Sequence, residues 1–367
     1  MNHLDDKLLQ DFRCFYESIP DKKGVYYLFF TTGLLHWAAK SLQFVPDTVP
    51  VVLIGAGLTE EEQIWVRQEL RRPFFCFVEK VDEGMVWHYL AAVNSEDFGW
   101  LDIDCFVLND RLFGEMARVP RSASMNCVWS YEYGKRTVPP ARFEFRVLRT
   151  FFLFVNRKVM RELDGGSLPW SPRPFLLDAP PAFSSFKRYD TFHVLDDAHK
   201  RTLARILPEN GDGTPVFPAQ IIKKDGVVTR HLDTLVLYQL LAHSRGYPIH
   251  RVRCLDEDET ALSDEVVHIG SVSYYRSFAD PGYEVVSGEE RARYNEIYER
   301  VLLLDYTIVS QFERRLPRAY SVYRRMLERD IKRLGISSEH VKEEAIKKLT
   351  GQGMSREAAE RICGGPV

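Results

Sequence analysis

The chain has 367 residues, 45% of them hydrophobic and 28% charged, with a formal net charge of −3 at pH 7. That is material for one large domain with an appendage or for two ordinary domains, and the charge balance excludes nucleic-acid binding driven by a globally basic surface. The 6 cysteines are scattered with no CxxC pair, which argues against a zinc knuckle or a disulfide framework and for reduced, buried thiols.

The N-terminus, MNHLDDKLLQ, is polar and acidic, unlike a signal peptide. The longest apolar runs, such as VLLLDYTIV with its Asp305, are far short of a membrane span. A cytoplasmic protein without a transmembrane segment is expected. The first twenty residues or so read as a short amphipathic helix. GVYYLFFTTGLLHWAAKSLQFV then starts as an apolar strand, turns at Thr31, Thr32 and Gly33, and becomes helical, with His36 and Trp37 as packing residues. PVVLIGAG, residues 50–57, is a second strand, and LTEEEQIWVRQEL opens with a capping box in which Thr59 is the N-cap and Glu62 stands three residues on. PFFCFVEK is a third strand and DEGMVWHYLAAVN a helix. FGWLDIDCFVLND, residues 98–110, carries a fourth strand that ends at Asp102 and Asp104. Alternation of helices with wholly apolar strands predicts an α/β fold, a mostly parallel sheet with helices on both faces. Ligands of such sheets bind at the carboxyl ends of the strands, the rim where Thr31, Thr32, Gly55 and Asp102 stand.

From about residue 120 the texture changes. RFEFRVLRTFFLFVNRKVMREL is a strand entering a helix with Asn156 as its N-cap, and PWSPRPFLLDAPPAFSSF is a proline-rich, substrate-facing loop. VVTRHLDTLVLYQLLAHSRGYPIHRV is a helix opening near Asp233, stopped by Gly246 and Pro248, and followed by a strand. EVVHIGSVSYYRSF is a strand end and a turn. Helical segments follow from Gly288 onwards, and residues 291–367 hold 16 Lys/Arg against 11 Asp/Glu. Their apolar spacing predicts packing against the body of the protein. Homo-oligomer formation, a docked partner, contact with an anionic lipid or polymer, or a position near a membrane-bound acceptor are the other arrangements such helices allow.

On a strand, residues i and i+2 share a face, so Asp102 and Asp104 converge. Two carboxylates that close need a cation, a shared proton or full hydration, and a divalent ion shared with substrate phosphates provides the first. A haloacid-dehalogenase-type phosphotransferase would use an Asp pair in this spacing, but Phe106 stands where a small hydroxylic residue is required. A dinucleotide enzyme would use LIGAG, but Glu60 replaces the third glycine and the acidic TEEE repels a pyrophosphate at the helix start.

A third group accommodates the pair. The chain resembles the metal-dependent GT-A glycosyltransferases, a nucleotide-diphospho-sugar transferase superfamily. FGWLDIDCFVLND matches their DxD motif at a strand end, an α/β half precedes it, and in VVHIGSVSYY His268 matches the C-terminal metal-binding histidine of many members. The resemblance covers about residues 24–285, with a nucleotide-binding half at 24–118 and an acceptor half at 119–285. An N-terminal helical segment (1–23) precedes it and an all-helical extension (286–367) follows. It implies a hexosyltransferase-like enzyme that moves a sugar from a nucleoside-diphosphate sugar to an unidentified acceptor, whether polysaccharide, lipid-linked or small molecule. It also implies Mn2+ or Mg2+ held by Asp102, Asp104 and His268, with Asp104 binding directly and Asp102 through water or to the ribose. Imidazole suits Mn2+ somewhat better.

Under the same resemblance the nucleotide lies over Thr31, Thr32 and Gly33, with Glu79 or Asp82 at the base edge. Trp129, Tyr131 and Trp170 offer aromatic faces to a sugar. An inverting reaction needs a general base, for which Asp233, at the opening of its helix, comes first and Asp190 in RYDTFHVLDD second. Each residue also has a plain structural explanation: helix capping for Asp233, turn chemistry for Thr-Thr-Gly, core packing for the aromatics, a hydrogen-bonded half-buried histidine for His268. The alternative functions are a metal-dependent phosphohydrolase or nucleotidyltransferase using the same aspartates, or a non-catalytic nucleotide-sugar-binding relative.

Overall fold

The structure, a computed structural model, describes residues 3–79, 81–132, 146–148, 150–166, 168, 170–178, 193–224, 227–253, 263–270, 272 and 288–364. In chain order come α1 (His3–Ser18), β1 (Tyr26–Thr31), α2 (Leu35–Leu42), β2 (Val51–Ala56), α3 (Glu60–Trp65), β3 (Phe74–Phe77) and α4 (Glu83–Val93). The middle of the chain supplies β4 (Phe98–Asp102), β5 (Cys105–Val107), α5 (Arg111–Met116), β6 (Met125–Cys127), β7 (Ser130–Glu132), β8 (Arg146–Leu148), β9 (Phe152–Val155) and α6 (Arg157–Asp164). Then follow β10 (Phe175–Leu176), β11 (His193–Val194), α7 (Asp197–Ala204), β12 (Gln220–Lys224), β13 (Val227–Leu232), α8 (Val236–Ser244), β14 (Ile249–Arg251) and β15 (Val266–His268). The chain closes with α9 (Gly288–Phe312), α10 (Ala319–Arg333), α11 (Val341–Gly351) and α12 (Arg356–Cys363). This is an α/β protein. No described helix is long and apolar enough to cross a membrane.

Contacts divide the chain into two compact units, one of Met1–Val25, Val81–Trp100 and Glu115–Cys254, the other of Tyr26–Lys80, Leu101–Gly114 and Leu255–Val367. In the first, α1 packs on α4 and buries Phe12 and Tyr16. The Tyr16 hydroxyl stands 2.8 Å from Ser95 Oγ, which ties the amphipathic helix into this unit. β14 pairs parallel and β9 antiparallel with β6. A four-stranded sheet runs in the order β11–β10–β13–β12. Asn156 caps α6, accepting from Lys158 N and Val159 N. The expected single strand before it is split into β8 and β9. α8 begins at Val236, three residues after Asp233, because the preceding residues form β13 and Leu235 takes a left-handed turn conformation at φ 63°.

In the second unit β1, β2 and β3 pair in parallel, with Tyr26 opposite Val51 and Leu53 opposite Phe74. Every residue of β2 is buried, so both of its faces are covered, as an unbroken apolar run requires. Gly55 answers a need for space, since a Cβ there would come within 2.6 Å of Leu58 Cδ1. α3 opens with the expected capping box, but its continuation, Val66–Leu70, winds as a π-helix and stops at Arg71 in the left-handed region. The C-terminal helices are built into this unit instead of standing apart: α9 packs on α2, α10 and α11, and α11 packs on α12. Val301–Leu304 and Ile308 of α9 are fully buried, each worth about 1.5–3 kcal/mol of transfer free energy for its side chain.

Candidate metal site

Asp102 is the last residue of β4, and the chain turns through Ile103 and Asp104 before β5. The strand alternation expected to align the two aspartates is therefore interrupted between them, and a turn brings the carboxylates together. The Asp104 carbonyl accepts from Ile269 N at 2.9 Å, which anchors that turn. β15 pairs antiparallel with β5 and sets His268 opposite Cys105, the neighbour of Asp104. Gly270 follows at φ 75°, a left-handed conformation that suits glycine and turns the chain away just after the histidine.

One ligand atom each from Asp102, Asp104 and His268 lie within 4.8 Å of one another. His268 Nε2 is 3.4 Å from Asp104 Oδ1 and 3.9 Å from Asp102 Oδ2. The Asp104 residue is 6% exposed, whereas the Asp102 side chain keeps 27% of its surface open. Burial pushes the Asp104 carboxyl up, but the charge and hydrogen bond of His268 and the N–H of Val272 outweigh it, so the group sits below the ordinary carboxylate range. Burial first, and then Asp102 and Asp104, push the Cys105 thiol well up, which makes it packing material and no thiolate ligand. Two carboxylates and an imidazole nitrogen form an oxygen and nitrogen donor set of the kind Mn2+ or Mg2+ takes. The residues present fit such an ion.

The structure distributes the other expected residues differently. Thr32 Oγ1 donates to Glu62 Oε2 at 2.7 Å and Gly33 N to Glu62 Oε1 at 2.8 Å, so the turn expected to face a nucleotide is knitted to the start of α3. Thr31 ends β1 and is half-buried. Asp82 caps α4, accepting from Met85 N at 2.8 Å, and Glu79 is exposed. Trp129 is only 3% exposed, with its ring centroid 4.7 Å from that of Phe151. A sugar platform needs an open ring face, so core packing replaces that reading of Trp129. Trp170 donates through Nε1 to Asp164 Oδ1 at 3.0 Å. Asp233 accepts from Thr234 N at 2.9 Å in the turn between β13 and α8, and Leu235 takes the N-cap position expected for it. Asp190 and the side chain of Tyr131 lie outside the described residues. Phe106 is buried and parallel to Trp37 at 6.2 Å, a core role that leaves the haloacid-dehalogenase arrangement without its hydroxyl.

Among the buried charges that sequence reasoning missed, two lie on α9. Asp305 accepts from Trp37 Nε1 at 2.9 Å and is bonded to His36 and to the Tyr323 hydroxyl. Arg300 donates to the carbonyl of Ile269 and, at 2.8 Å, to Gln352 Oε1. The available signal was position alone: in YERVLLLDY both charges flank a run of apolar residues too continuous to face water.

A solved glycosyltransferase, GlyE of Streptococcus pneumoniae TIGR4, superposes over 39% of this chain and 36% of its own with a TM-score of 0.26 and 14% identity. Its apo form gives 48% and 46% coverage, a TM-score of 0.25 and 11% identity. These superpositions are too slight to define the fold. A curated protein of Streptomyces griseus, dTDP-dihydrostreptose–streptidine-6-phosphate dihydrostreptosyltransferase, is 25% identical over 382 aligned positions, covering 96% of this chain and 92% of its own. Residues 2–160 match the family described as the StrH glycosyltransferase N-terminal domain. Together the domain match and the full-length relative support a glycosyltransferase.

Proposed function

We propose that the chain transfers a sugar from a nucleoside-diphosphate sugar to an acceptor at a divalent-metal site formed by Asp102, Asp104 and His268. The observation that carries this reading is the meeting of these three side chains, drawn from two distant stretches of sequence, within 4.8 Å. Asp104, nearly dry, and His268 through its Nε2 lone pair would be the inner ligands. Asp102, the more open carboxylate, reaches the ion or the donor's ribose. When bound, Mn2+ or Mg2+ supplies positive charge to the diphosphate leaving group. If the reaction inverts the sugar carbon, Asp233 takes the proton of the acceptor hydroxyl, with Asp190 as the second candidate.

The Streptomyces griseus relative acts, by its name, on dTDP-dihydrostreptose and streptidine-6-phosphate. Carried over, this makes a dTDP-activated sugar the first donor to test and a small phosphorylated molecule the first acceptor. A thermal-shift series with dTDP-, UDP- and GDP-sugars, with and without Mn2+, tests the reading. One donor should raise the melting temperature by several degrees only when the metal is present, because binding to the folded state adds RT ln(1 + [L]/Kd) of stability. Asp104→Ala should abolish that gain. No metal-dependent gain with any donor would end the sugar-transfer account, and phosphate release from simple esters without an acceptor would point to a phosphohydrolase.

A further inference from the structure

The metal reading leaves Arg300 without a task, although it is a buried cation bonded to the residue next to His268. It is 2% exposed, and its two terminal nitrogens are committed, Nη2 to the carbonyl of Ile269 and Nη1 to Gln352 Oε1. Ile269 directly follows His268, and its own N–H donates to the Asp104 carbonyl at 2.9 Å. The guanidinium thus holds the residue that ties the histidine's segment to the aspartate's turn. The start of the same segment is held from α12, where Ser355 N donates to Asp264 Oδ1 at 2.9 Å. Burial pulls the Arg300 guanidinium down to about 10, while Glu296 and Asp104 support its charge.

We propose that Arg300 is a positioning residue of the metal site: by fixing Ile269 it fixes His268, so that α9 is part of the scaffold that holds the ligands. The proposal rests on the reading of Asp102, Asp104 and His268 as metal ligands. A role limited to balancing the charge of Asp104 makes the opposite prediction, because a cation beside the site repels an incoming one and its removal would tighten metal binding.

Calorimetric titration of the metal-free chain with Mn2+ at fixed pH separates the two. Arg300→Gln should weaken Mn2+ binding about tenfold, the scale on which supporting contacts act on metal affinity. Arg300→Lys, which can still donate to the Ile269 carbonyl, should recover part of the loss. In a His268→Ala background Arg300→Gln should have little further effect, because the two act on one ligand. Gln352→Ala keeps the guanidinium and its charge but loosens its outer anchor. It should weaken Mn2+ binding by about two- to threefold, and it decides the matter if Arg300→Gln does not fold. Unchanged or tighter binding in Arg300→Gln, additive losses with His268→Ala, or an unchanged Gln352→Ala protein would overturn the role of Arg300 alone. A wild-type chain that binds no Mn2+ would overturn the metal reading itself, and this role with it.

Discussion

Glu62 shows how one side chain can replace a ligand that a motif seems to invite. A glycine-rich strand end followed by a helix is where a phosphate would be bound by backbone N–H groups. Here the Glu62 carboxylate occupies that electrostatic position, accepting from Thr32 Oγ1, Gly33 N, Thr59 N, Thr59 Oγ1 and the Tyr320 hydroxyl, all at 3.2 Å or less. Burial raises its pKa, but these donors, Gly33 and Thr59 foremost, outweigh it and leave the group below 4.5. A folded-state pKa below the unfolded one contributes stability that is fully present above the unfolded value and fades as pH falls through the folded one. Glu62→Gln should therefore lower stability at pH 7 by about 2–3 kcal/mol, the scale of hydrogen bonds to a buried charge. In urea unfolding the gap between the two proteins should narrow below about pH 4.5. A gap that stays constant down to pH 3 would show that the carboxylate's charge is not what matters.

At the scale of elements, the apolar runs of β1 and β2, the capping box of α3 and the Asn156 cap of α6 were legible because each depends on residues a few positions apart. What was not legible depends on contacts across the chain or on backbone conformation. The turn that splits β4 from β5 at Asp104 is anchored by Ile269, more than 160 residues away. Asp233 looked like an N-cap because Asp favours that place, but β13 extends to Leu232 and the turn at Leu235 takes over. The π-helix after α3 likewise leaves no mark in VRQEL, and its consequence can be measured. Arg71 closes it at φ 50° and ψ 37°, exposed to solvent. A left-handed conformation costs an L-residue about 1–2 kcal/mol, and glycine gives back part of that relief through its freer unfolded chain. Arg71→Gly should therefore stabilise the protein by about 0.5–1 kcal/mol, read as a higher urea midpoint with an unchanged slope. A lower midpoint would mean that the arginine's own contacts outweigh the backbone term.

At the scale of the molecule, the second unit is assembled from three separated stretches, and its last helix is fastened to its first. Lys40, in α2, is 1% exposed and donates to Gly364 O at 2.6 Å, Arg361 O at 3.5 Å and Gln311 Oε1 at 3.2 Å. One ammonium thus caps the C-terminal end of α12 with a cation, where the helix dipole favours it. The same burial carries a penalty, for it lowers the Lys40 pKa from 10.5 to about 8. Between those values the unfolded chain binds the proton that the folded chain has released, so stability must rise with pH across that window. At about 1.4 kcal/mol per pKa unit the rise is about 3 kcal/mol. Buried thiols oppose it: burial pushes the Cys363 thiol up to about 12 and that of Cys105 well up, so both weaken the fold as pH increases. A comparison of Lys40→Met with the wild type in a Cys363→Ala background isolates the lysine, because the Cys363 thiol and Lys40 act on each other's charge. The variant loses the donor to the Gly364 and Arg361 carbonyls but sheds the buried charge, so it should stand closest to the wild type near pH 8. The wild type should then draw ahead by about 3 kcal/mol as pH approaches 10.5. A difference that stays flat over that range would mean that Lys40 keeps its proton as readily in the folded chain as in the unfolded one, its three acceptors offsetting the loss of water.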